Sequence, residues 1–287
     1  MHKQLPNFEY HFARAEAAAI RSAYAAALHS IAQRKRERCA DLPFEVYSYS
    51  SESTVPEQAA SIRSLLRWAG RPRKFTVVSD GTHSSRSVAL LQAISPLVEV
   101  SWAPAWMPRE IPEPLRPYLS DHPTGKQLAL IMSLPVDGPA LYVDSDVLFF
   151  PDANELISLL PVDGRPACYL ADCQLAADER LFRDPAEKEA SVNTGVLFLQ
   201  RKLDWSLSIS RFLELAGPPN FFTNQTMAHL AMHANGAAPF DSQRFVLQLD
   251  DQFVYADRYA RSSRLVLRHY VNPVRHKFWN ALWRFAP

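Results

Sequence analysis

Apolar residues in the first half of the chain alternate between two textures. Short, nearly unbroken runs at FEVYSY (44–49), KFTVVSD (74–80), VEVSW (98–102) and ALYVD (140–144) have the length and side-chain types of strands. Between them, PEQAASIRSLLRWAG (56–70), SSRSVALLQAI (84–94) and PTGKQLALIMSL (123–134) place apolar residues three and four apart, the spacing of helices. An alanine-rich stretch over 9–38 precedes them, with Ile20, Tyr24, Leu28 and Ile31 on one helical face. Strands alternating with helices predict an α/β fold: a central, mostly parallel sheet with helices on both faces and its ligand site where the strands end.

Past Phe150 the pattern changes. ACYLAD (167–172), VNTGVLFLQ (192–200) and RLVLRHYV (264–271) read as strands, with helices near 203–215 and 222–234, and HKFWNALWRF closes the chain as a helix. Prolines outnumber glycines by 22 to 8. They gather in APAWMPREIPEPLRPYLSDHP (103–123), which predicts an extended, semi-rigid loop bordering a cleft together with Trp102 or Trp106. No repeat or linker interrupts the chain. The expected organisation is an N-terminal helical extension over 1–42 and one domain over 43–287.

Composition narrows the partners. A net charge of +1 gives no global attraction for nucleic acid, and the RKRER run (34–38) reads as a solvated helix end. No stretch is apolar enough to span a membrane, which leaves room for peripheral membrane contact, and the first residues lack the pattern of a signal peptide. Three cysteines (Cys39, Cys168, Cys173), without zinc spacing, suit free thiols in a reducing, cytoplasmic compartment.

One stretch does not fit a core strand. In ALYVDSDVLFFPD (140–152), Asp144 and Asp146 interrupt two apolar blocks at the sheet edge. Ionised carboxylates beside a core cost several kcal/mol unless compensated, and a divalent cation gripping a diphosphate would compensate them. The small Ser145 permits the tight turn that points both into one cleft. Ser50 and Asp80 lie at the same edge.

From about Phe44 to Trp279 the chain resembles GT-A (nucleotide-diphospho-sugar transferase, Rossmann-like) glycosyltransferases, nearest to the glycogenin and lipopolysaccharide galactosyltransferase family, family 8. The resemblance rests on an ordered set: YVDSDVLF with its D-x-D, SVNTGVLFLQ (191–200), FFTNQTMAHLA (221–231) and LRHYVNPVRHKFW (267–279). It implies transfer of a sugar from a nucleoside diphosphate sugar, a uridine diphosphate sugar as family donor, to a hydroxyl of a glycan, lipid or protein. It implies Mn²⁺, with Mg²⁺ as the alternative, on Asp144, Asp146 and His269. Asn193 and Gly195 would meet the sugar, Gln225 would lie beneath its anomeric carbon, and Lys126 at a helix start would touch the donor. Asp172, at the end of ACYLAD, would orient the donor sugar or the acceptor.

Three positions depart from the pattern. The acid before Gln225 is Asn224, whose amide cannot act as nucleophile or base, so retention of configuration is implied by the resemblance alone. Counting from His269 puts the diphosphate-binding cation at Arg275, whereas counting from Trp279 puts it at Lys277. The acid that holds the base or ribose is missing from SYSSES, leaving Ser50 and Glu52. Two rival readings follow from the residues. A haloacid dehalogenase-like phosphohydrolase would use Asp144 as nucleophile, Asp146 as acid and Asp250–Asp251 as magnesium ligands. A degenerate homologue would bind nucleotide or glycan without turnover.

Overall fold

A computed structural model describes residues 7–34, 40–159 and 164–285. The first half follows the alternation closely: α1 (Phe8–Ala32), β1 (Glu45–Ser50), α2 (Val55–Trp68), β2 (Phe75–Ser79), α3 (Ser85–Gln92) and β3 (Val98–Trp102), then α4 (Arg116–Asp121), α5 (Pro123–Ser133) and β4 (Ala140–Val143). The second half is more irregular. It contains β5 (Val147–Phe149), α6 (Leu156–Leu159), β6 (Ala167–Ala171), β7 (Val192–Leu199), α7 (Ser206–Leu213), α8 (Thr223–Ala234), β8 (Ala238–Pro239), β9 (Phe245–Val246), β10 (Leu267–His269) and α9 (Arg275–Phe285).

Seven strands form the main sheet in the order β3-β2-β1-β4-β7-β6-β8. All neighbours are parallel except β7, which runs antiparallel to both β4 and β6. Alternate side chains explain the unbroken apolar runs, because both faces are covered. Val46, Val77, Leu141, Val143, Val196 and Phe198 point into one core, with residues of α2 and α3. Tyr47, Val78, Tyr142, Leu197 and Leu199 point into the other, with residues of α4, α5, α7 and α8. Helix α1 buries Ala13, Ala17, Leu28 and Ala32, so the predicted stripe continues toward the N-terminus through alanines. It ends at Ala32; of the RKRER run Arg34 is described, while residues 35–39, Cys39 among them, lie outside the described residues.

The proline-rich segment is not extended. It folds into helical turns at Ala103–Trp106 and Glu113–Leu115 and into α4, and then leads into α5. Each of these pieces carries proline in its first turn, where a missing N–H costs nothing and a fixed φ suits the helix. Trp106 packs edge-on against Tyr47 and donates to Ser101 Oγ, so it belongs to the core and not to a cleft. Trp102 is exposed on the edge strand β3, three strands or about 14 Å from β4.

A second sheet, β5-β10-β9, places the site; the strand predicted over 264–271 is β10, but its pairing with β5 was not legible in the sequence. Its strands β5 and β10 are antiparallel, with His269 opposite Val147, one residue past Asp146. Beneath it, the fully buried Arg268 pairs with Asp251 and Asp257, donates to the Gln248 carbonyl and stacks on Tyr259 and Tyr270. This cluster fastens the 248–260 segment to β10.

Candidate active site

Along the carboxyl edge of the main sheet the strand order sets Asp80 (after β2), Ser50 (β1), Asp144 (after β4), Asn193 (start of β7) and Asp172 (after β6) in one row. Tight chain reversal brings the acids together: β4 ends at Val143, β5 begins at Val147, and the Val147 amide donates to the Asp144 carbonyl. The small sheet adds the imidazole, since the Tyr270 amide donates to the Asp146 carbonyl at 3.0 Å. His269 Nε2 then lies 3.1 Å from Asp146 Oδ1 and 3.5 Å from Asp144 Oδ2. One ligand atom from each of the three residues falls within 4.8 Å of the other two.

The ring's tautomer is set by its other nitrogen. Asn193 Oδ1 lies 2.9 Å from His269 Nδ1 and also accepts from the Gly195 amide, while Asn193 Nδ2 donates to Asp172. An acceptor facing Nδ1 fixes a proton there, so Nε2, which donates to Asp146, is the nitrogen that would give up its proton to serve as a metal ligand. Gly195 makes room: a Cβ there would stand 2.1 Å from His269 Cε1. The group that approaches Gly195 closely is the histidine ring.

Charge within the cluster is unbalanced. Burial would raise the Asp146 carboxyl, but His269 and Arg275 outweigh it and hold it down at about 2. Burial pushes the Asp144 carboxyl above its usual range; His269 offsets part of that and the Asp146 charge adds to it. Burial lowers the His269 imidazole, and the charge and hydrogen bond of Asp146 more than reverse this, so it rises. Asp144 thus sits in a site short of positive charge. Two oxygens and one imidazole nitrogen converging there could hold a divalent cation.

Around this centre the structure distributes the other predicted residues. Arg275 bonds Asp146 directly. Lys277 does not reach the pair: it is fully buried, donates to the carbonyls of Val254 and Ala256, and lies 3.7 Å from Asp251. Lys126, at the start of α5, donates to the Asp80 carbonyl at 3.1 Å. Ser145 is buried within the turn. Ser50 Oγ meets His83 Nε2 at 3.2 Å, whereas Glu52 accepts from Ser84 and Ser87 and so caps α3. Gln225 Nε2 donates to Asp172 Oδ2 at 3.1 Å and to the Ala176 carbonyl, so Asp172 gathers both Asn193 and Gln225. Asp251 is taken by Arg268, and neither it nor Asp250 joins the acidic pair, which removes the magnesium ligands of the phosphohydrolase reading.

Three site residues escaped the sequence. Gln127 donates to Asp144 Oδ1 at 2.9 Å and to Tyr142 Oη, and accepts from Asn224 Nδ2 at 2.9 Å. Tyr142 donates to the same Asp144 oxygen at 2.7 Å. Residues two apart on a strand share a face, a signal that could have pointed from Asp144 to Tyr142; Gln127 gave no signal beyond its place after Lys126. His83 followed only a strand end.

No family model and no curated protein matches the sequence. Solved structures do. Galactosyltransferase LgtC, in complex with donor and acceptor sugar analogues, superposes with a TM-score of 0.57 at 14% identity, covering 85% of this chain and 97% of that one. Mouse xyloside xylosyltransferase 1 gives 0.54 at 14%, over 82% and 99%. The bifunctional glycosyltransferase WbbM gives 0.54 at 12%, over 85% of this chain and 50% of its own. The chain therefore has the GT-A glycosyltransferase fold, with the acid pair and the histidine at the carboxyl edge of its sheet.

Proposed function

We propose that the protein is a metal-dependent glycosyltransferase that moves a sugar from a nucleoside diphosphate sugar, with uridine as the base, to an acceptor hydroxyl. The observation that carries this reading is the convergence of Asp144, Asp146 and His269 beside Arg275, midway between the Lys126–Asp80 corner and the Asn193–Asp172–Gln225 cluster. A bound Mn²⁺ or Mg²⁺ supplies positive charge to the two phosphates of the donor and so eases their departure.

The chain's own residues do the rest. Arg275 is partly exposed and paired to Asp146; its fork suits a diphosphate bidentately, which supports it over the buried Lys277 as the phosphate-binding cation. Lys126 and the N-terminus of α5 add a second positive end, with Ser50 and Asp80 on the nucleoside side. On the other side Asn193 and Gln225 hold Asp172 as an oriented carboxylate, suited to fix a sugar hydroxyl or to accept the acceptor's proton. Asn224 spends its amide on Gln127 and has no basic atom to offer. Retention of configuration therefore rests on family resemblance, with Gln225 near the anomeric carbon. Asn224 also favours a second reading, a homologue that binds the donor without turnover.

The test is release of uridine diphosphate from UDP-glucose, UDP-galactose, UDP-N-acetylglucosamine and UDP-xylose, with Mn²⁺ and with EDTA. One donor is expected to turn over in Mn²⁺ alone, and Asp146→Asn to abolish that turnover. Phosphate release from simple phosphomonoesters, with no action on any nucleotide sugar, would overturn the proposal.

A further inference from the structure

A cleft of about 600 Å³ lies apart from the metal centre, between the α4–α5 turn and the segment joining α7 to α8. Pro117, Tyr118, His122, Phe212, Leu213 and Pro218 are among its walls. We propose that it is a carbohydrate subsite, holding acceptor residues beyond the one that reacts, so that the acceptor is an oligosaccharide or longer glycan. The proposal rests on the glycosyltransferase reading.

Position argues first. Both walls run straight into site helices: His122 and Pro123 lead to Lys126 and Gln127 on α5, and Pro218 and Pro219 lead to Asn224 and Gln225 on α8. Tyr118 joins the two, its ring lining the cleft and its hydroxyl lying 3.1 Å from Thr124 Oγ1.

The cleft is also built in advance. Tyr118 stacks on Phe212 at 5.3 Å and 27° and tilts against His122 at 5.2 Å. A Cβ on Gly125 would stand 1.8 Å from the Tyr118 carbonyl, so only glycine lets α5 approach α4 this closely. Across the cleft, Arg180 donates to the carbonyls of Ala216 and Pro218 while held by the buried Asp178, which also accepts from Thr223 at the start of α8. Rigid walls lower the ordering cost of binding.

Chemistry selects the occupant. The rings of Pro114, Pro117 and Pro218 form an apolar floor beside the buried Tyr118–Phe212 stack, Asp121 and His122 offer polar groups at the rim, and Leu213 is half exposed on an open side. An alkyl chain lying there would leave one flank in water. A pyranose sets its C–H face on the proline rings and turns its hydroxyls to the rim and to solvent.

The test is binding of the metal-free, nucleotide-free protein to a glycan microarray, followed by titration of the best ligand series at two and six sugar units. The six-unit glycan is expected to bind about tenfold tighter than the two-unit one. Leu213→Arg, a change at an exposed lip checked by its melting curve, is expected to remove the length effect. A length effect that survives in Leu213→Arg, equal affinity at both lengths, or capture of no glycan overturns the proposal, as does decanoate or octaproline binding there in their place. Because no nucleotide sugar is present, these results are independent of donor turnover, whose absence would instead sink the proposed function.

Discussion

Replacing Gly195 by alanine tests the geometry of the site with one methyl group. The new Cβ would stand 2.1 Å from His269 Cε1, 2.4 Å from Nδ1 and 2.8 Å from Nε2, where ordinary contact begins at 3.4 Å. Backbone cannot yield, because the Gly195 carbonyl accepts from the Asp144 amide at 2.8 Å and its amide donates to Asn193 Oδ1 at 2.9 Å. The imidazole must withdraw by roughly an ångström, breaking its contacts to Asn193 and Asp146. Overpacking of this kind costs about 1–3 kcal/mol, and a displaced ligand lowers metal affinity about 10–100-fold. Urea denaturation and Mn²⁺ titration by calorimetry read the two effects separately. Wild-type stability together with wild-type Mn²⁺ affinity would refute the account of why glycine stands there.

Other outcomes follow from named contacts. Arg268→Met leaves Asp257 buried without its cation and Asp251 with only the more distant Lys277, and is expected to cost about 3–5 kcal/mol in urea denaturation; an unchanged midpoint would contradict the cluster's role. Gln127→Leu removes the donor that Asp144 shares with Tyr142 and orphans Asn224, so donor turnover is expected to fall about tenfold or more with a smaller change in melting temperature. Turnover at the wild-type rate would mean that Asp144 is oriented without it. Burial and the nearby Lys277 charge depress the His276 imidazole to about 4, where it packs edge-on against Tyr10 of α1. Unfolded chains take up that proton from about pH 6.5, so stability is expected to fall as pH drops from 6.5 toward 4 and to flatten in His276→Phe. A slope unaffected by His276→Phe would assign the effect elsewhere.

The sequence exposed the central strands because both faces of the sheet are buried, so Val46 to Tyr47 and Leu141 to Val143 read as continuous apolar runs. It hid the two-residue β9 and the pairing of β5 with β10, which lie far apart in the chain, although it marked β10 as a strand within 264–271. It misled at Pro104, Pro114 and Pro117, where prolines start helical turns instead of holding the chain extended. Within the site, Asp144, Asp146 and His269 were legible as types in an ordered pattern. The choice between Arg275 and Lys277 was not: two registers fitted the spacing, and only the fold sends Lys277 to Asp251 and Arg275 to Asp146. Gln127 stayed hidden because its partners, Asp144 and Asn224, lie 17 and 97 residues away.

The central claim is that two acids and a distant imidazole hold a cation that in turn holds a diphosphate. Calorimetric titration of uridine diphosphate into the protein tests it most directly, in Mn²⁺ and then in EDTA, for wild type and His269→Ala. Binding that needs Mn²⁺ and disappears with His269 is the predicted result. Equal binding in EDTA, or in the variant, would contradict it.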